Sequence, residues 1–123
     1  MKLIKITALG LFLGSTIALA DDCVSPEAPA VPDGTSSTMD QMVAGQKAVK
    51  AFQASNIEYM ACLEPEITAA GEQLASASGD AKAVAKKAYD EKEASYNAAV
   101  SAEESVAGDF NVAIRAYKAA NPK

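Results

Sequence analysis

The chain has 123 residues, with 11 basic and 16 acidic side chains, no histidine, no tryptophan and a net charge of -5. That length admits one domain, and the acidic balance disfavours nucleic acid and anionic lipid, which need a basic face to displace counterions. The missing histidine removes the commonest general base and a frequent metal ligand, and the chain reads as a non-enzyme.

Residues 1–20 read as a cleavable signal peptide. Lys2 and Lys5 make a short positive start, Ile6 to Leu19 is apolar apart from small residues and Thr7, and Ala18-Leu19-Ala20 offers the small-x-small site of signal peptidase. The apolar run falls short of the roughly 20 residues that a membrane span needs. Cys23 follows Asp21 and Asp22 instead of a small residue, which argues against a lipid anchor. The expectation is a periplasmic or secreted chain beginning at Asp21, with no membrane anchor after signal cleavage. Removal of Lys2 and Lys5 takes the net charge from -5 to -7.

Residues 21–37 read as a Pro-rich extended strap. Pro26, Pro29 and Pro32 recur at every third position, the period of a polyproline II helix, and Cys23 shares their register. Val31-Pro32-Asp33-Gly34 reads as a tight turn, with proline presetting its second position. Two cysteines in an exported chain predict a disulfide between Cys23 and Cys62. The strap would then run back along the first helix. About 46 Å of polyproline II from Cys23 to Thr38 exceeds the about 36 Å of helix from Thr38 to Cys62, leaving slack for the turn. Ala44, Ala48, Ala51 and Ser55, in line with Cys62, offer a lane of small residues for the proline rings. The competing expectation is a disordered leader.

The first helix is predicted over 38–75, opened by a capping box between Thr38 and Gln41. Met42, Val49 and Leu63 fall on one seven-residue row and Phe52 and Tyr59 on its neighbour, with Gly45 and Asn56 on the same seam. Pro65 lacks an amide donor and crowds the preceding turn, so a kink or short break is expected there. A connector follows over 76–80, with Asp80 suited to cap the next helix.

The second helix is predicted over 81–119. Tyr89, Tyr96, Phe110 and Tyr117 keep a strict seven-residue row, interrupted by Glu103, and Val100, Ala107 and Ile114 form the adjoining row. An aromatic stripe at this spacing reads as a packing seam and not as a ligand site. Two long helices on a short connector fold back antiparallel, which gives an all-α, coiled-coil-like two-helix hairpin. Facing positions then sum to about 157, which sets Phe110 against Gly45 to Ala48 and Phe52 against Ala102 to Ser105.

Carboxylates cluster at Glu58, Glu64 and Glu66, and again at Asp90, Glu91 and Glu93. Such clusters are usually solvated helix faces, and the expectation is no cofactor and no metal site. Met39, Met42 and Met60 raise the thought of copper(I), but two of the three suit the start and seam of a helix. The chain has no CxxC pair and no glycine-rich phosphate loop.

The pattern of Cys23, Pro26, Pro29, Pro32-Asp33-Gly34, Tyr59 and Cys62-Leu63 resembles a family of small exported proteobacterial helical proteins with a Cys, Pro-Asp-Gly and Tyr-x-x-Cys-Leu skeleton. The resemblance covers about residues 23–63 and implies location and shape, with no activity attached; an unbroken helix would be expected where Pro65 stands. Two function classes follow. One is a non-enzymatic structural or protein-interaction module of the cell envelope, paired with itself or with an envelope protein. The other is a small-molecule or cation carrier that uses the acidic helix faces.

Overall fold

The computed structural model describes residues 22–123, so the signal-peptide expectation for residues 1–20 lies outside it. Thr38 sets the start of the first helix. Its hydroxyl accepts the Gln41 amide at 3.3 Å, and the Gln41 side chain accepts the Thr38 amide at 2.7 Å, so two otherwise orphaned donors are satisfied reciprocally. Helix α1 then runs Met39–Ser76 and helix α2 runs Gly79–Ala120, folded back against each other as an antiparallel hairpin. A disulfide joins Cys23, in the N-terminal segment, to Cys62 of α1, with a Cα–Cα distance of 5.8 Å.

Helix α1 passes through Pro65 without the break expected there. Both Pro65 and Ala61, whose carbonyl loses its helical donor, are exposed, so that carbonyl faces water. Leu63 and Ala70 are buried on either side of it. The connector is also shorter than expected, only Ala77 and Ser78. Ser78 is the N-cap of α2 without a side-chain bond, and Asp80 lies inside the first turn instead of capping it. Gly79 takes φ +58°, a left-handed conformation that glycine adopts at no steric cost.

The core sits in the half of the hairpin away from the connector. Met42, Val49 and Phe52 of α1 meet Val106, Phe110 and Ala113 of α2, with Val31 of the strap packed against them. A Cβ built on Gly45 would stand 3.3 Å from the Phe110 ring, so the bulky residue of one helix fills the gap left by the glycine of the other. Burying each large side chain contributes about 1.5–3 kcal/mol.

The strap closes one face of this hairpin. Cys23, Pro26, Pro29 and Pro32 are each half-buried, while Val24, Ser25, Glu27, Ala28 and Ala30 are exposed, which is the every-third pattern of a polyproline segment lying on a surface. Pro32 packs on Gly45, where an added Cβ would meet its ring at 2.7 Å. The turn starts two residues later than expected, at Asp33 and not at Val31. The Asp33 carbonyl accepts the Ser36 and Ser37 amides at 3.3 and 2.9 Å, and its carboxylate accepts the Thr35 amide and hydroxyl at 2.9 and 2.7 Å. Aspartate closes the turn with its own side chain, which frees Pro32 for packing.

Ala44, Ala51 and Ser55 stay exposed, contrary to the expected lane, and Ala48 is half-buried. The end of the strap, from Val31 to Gly34, instead lies toward α2. Gly34 is buried against the α2 backbone, where a Cβ would fall on the Ala113 carbonyl oxygen and 2.8 Å from the Tyr117 nitrogen. Here glycine is required by close approach.

Candidate functional site

Strap and hairpin together make two unlike faces. On the strap face, Val31 to Gly34 lie beside Asp109, Val112, Ala113 and Ala116 of α2. On the opposite face no other described residue covers the helices. At its open end Met39, Met42, Val43 and Gln46 of α1 and Phe110, Ile114, Tyr117 and Lys118 of α2 line a groove of ≈ 330 Å³. Further along, Gln53 and Met60 face Tyr96, Val100, Glu104 and Ala107. Met39, Val43, Ile57 and Val100 are 58 %, 41 %, 57 % and 37 % exposed, so this face offers aliphatic side chains to whatever lies against it.

Val100 marks the main departure from the expected seam. The aromatic row of α2 does face α1, with Phe110 buried and Tyr89, Tyr96 and Tyr117 half-buried. Its neighbour in the core, however, is the row of Ala99, Val106 and Ala113, and the row of Val100, Ala107 and Ile114 is turned toward the open face. Both rows flank the aromatic stripe, so periodicity alone does not choose between them. The strap side is marked by Ala113, on whose backbone Gly34 rests. On α1, Met42, Val49, Phe52 and Leu63 are buried and Tyr59 is half-buried.

Two polar residues interrupt the seam, one in each helix, and they meet. Asn56 is 1 % exposed, and its Nδ2 donates to the Ala99 carbonyl at 2.9 Å and to a Glu103 carboxylate oxygen at 3.3 Å. A buried amide that finds its partners at one axial setting penalises any slip of the helices. The Asn56 position in the first helix and the Glu103 gap in the aromatic row are thus one feature, a register lock.

The carboxylate clusters are dispersed among local partners. Glu66 accepts from Lys92 of α2, Asp90 from Lys86 at 2.6 Å, and Glu93 from the Tyr89 hydroxyl at 2.5 Å, while Lys87 stands 3.8 Å from Glu91. Lys92 has its pKa raised, first by the hydrogen bond to Glu66 and then by the negative charges of Glu66 and Asp22. Tyr89 is likewise pushed up, because ionising it would forfeit the bond to Glu93 and set two negative charges side by side. Among the described residues no three His, Cys, Asp or Glu side chains converge as a metal site would require. Met39 lies exposed while Met42 is buried. Among the described residues, no helix is long and apolar enough to cross a membrane.

Compared with family models, with curated proteins and with solved structures, the chain finds no match.

Proposed function

We propose that this protein is an exported, non-enzymatic helical module of the cell envelope that works by presenting its open face to a protein. The observation that carries the reading is the asymmetry of the hairpin. One face carries a disulfide-tied strap, beside which Val112 alone of the large aliphatic side chains of α2 stays exposed, and on the other Met39 and Val43 line one groove while Val100 lines a second further along. A two-helix hairpin buries its apolar residues fully only when another layer covers each face. Exposed aliphatic side chains gathered along one face are the usual mark of an interaction surface.

Export supports the same picture. A disulfide is compatible with an oxidising compartment, and the signal-peptide pattern ending at Ala20 and the resemblance to small exported proteobacterial proteins point the same way. The mature chain is expected to begin at Asp21 when the envelope protein is sequenced from its amino terminus. A photo-crosslinking residue placed at Val43 or Val100 should yield protein adducts in the envelope, and one at Ala30 on the strap should not. Equal labelling from all three positions, or none from any, would sink the proposal.

A further inference from the structure

We infer that the occupant of the open face is a second copy of this chain, related to the first by a two-fold axis parallel to the helices. The inference rests on the reading of that face as an interaction surface. An axis of this kind lays α1 of one copy over α2 of the other, and every neighbouring pair of helices is then antiparallel, as in an up-down-up-down four-helix bundle. It also repeats the axial register that each hairpin already has, which the Gly45–Phe110 contact and the Asn56–Ala99 bond define.

The side chains on the face fit that arrangement. Val43 and Ile114 line the same stretch of groove, so Val43 of one copy meets Ile114 of the second copy. Met60 and Val100 line the next stretch, and Ile57, exposed nearly one turn before Met60, comes over the second copy's Val100. Lys50 is exposed between these two apolar pairs on α1, and Glu104 is exposed on α2 within one helical turn of the matching height. Each Lys50 therefore faces a Glu104 across the interface, twice by symmetry.

The other way to stack two such faces uses an axis across the helices. It lays α1 on α1, and when the apolar stretch is centred it brings Lys50 up against its own copy. Charge complementarity selects the axial arrangement. Near the connector Glu64 would face Glu93 and Asp90 of the second copy. These are held by Tyr89 and Lys86 in their own helix, and their like charge keeps the contact to the half away from the connector.

Sedimentation equilibrium of the oxidised mature chain tests this. A dimer is expected, its dissociation constant raised about tenfold by Glu104→Lys or by Lys50→Glu and brought back toward the original value when the two changes are combined. Oxidising a mixture of Val43→Cys chains and Ile114→Cys chains should give a covalent dimer that neither forms alone. A dimer indifferent to both charge reversals, or one with no cross-link in the mixture, overturns the axial pairing. A strict monomer overturns it as well. If that monomer still cross-links an envelope protein through Val43 or Val100, the interaction reading stands without self-pairing; if the open face labels nothing, both fall.

Discussion

The two ends of the hairpin are built on different terms. Away from the connector, two helices and a strap make a third layer possible, and Met42, Gly45, Val49, Phe52, Asn56, Leu63, Ala99, Val106, Phe110 and Ala113 are buried there. Toward the connector, among the described residues, no strap lies on the helices, and between Glu64 and Glu91 only Ala70 is buried. That end relies on helix propensity and exposed pairs such as Lys86–Asp90, worth about 0.3–0.5 kcal/mol each. A chain rich in alanine forms helices readily but buries little area, so a hairpin of this kind is secured where something else lies on it.

Removing the tie should produce the largest effect. The disulfide closes a loop with a sequence separation of 39. By the chain-entropy relation it contributes about 4 kcal/mol, a large part of the about 5–15 kcal/mol that holds a domain together. Replacing Cys23 and Cys62 with serine should lower Tm strongly and open the strap to proteolysis, while far-UV circular dichroism in the cold keeps most of its helical signal. An unchanged Tm would mean that the third layer adds nothing. At the other end, Pro65→Ala should raise stability by up to about 3 kcal/mol, because α1 is continuous and the amide would regain a helical bond. No gain in a denaturant titration would show that the ring at the helix surface costs nothing there.

A pair of glycine substitutions sharpens the contrast on a smaller scale. Gly34→Ala drives a Cβ into the α2 backbone and should cost about 1–3 kcal/mol, as overpacking does, with faster amide exchange through the strap. Gly108→Ala meets nothing within 4 Å in mid-helix and should stabilise by about 0.5–1 kcal/mol. If both destabilised alike, close approach would not be the reason for Gly34.

The smallest effect is set by pH. Asp33 has its pKa lowered, first by the Thr35 hydroxyl and then by the Thr35 amide. Its support of the turn is therefore present above the unfolded carboxylate value of about 3.9 and is lost as pH falls through the lower folded value. The Thr35 amide resonance should titrate with a midpoint below that reference, and a midpoint at or above it would deny the bond. Lys92 shifts the opposite way. Its pairing with Glu66 is complete below the unfolded lysine value of about 10.4 and fades only as pH rises through the raised folded value.

Local physics made much of this molecule legible in the chain itself. The Thr38 and Gln41 capping box, two helices on a short connector, the antiparallel return with Phe110 over Gly45, the Cys23–Cys62 bond and the period-three strap all follow from short-range rules or from chain reach. Other features depended on what lies across the groove. Seven-residue spacing left α2 free to turn either Val100 or Ala99 inward, and only the packed structure shows Ala99 buried, with Ala113 of the same row beneath Gly34. Whether Pro65 would break α1 turned on the solvent exposure of the ring and of Ala61, a property of packing and not of the sequence around it. Asn56 and Glu103 each look like flaws until the two helices face each other. Periodicity names the faces of a helix, but which face is covered is decided by the neighbour, because burial is a relation between two surfaces.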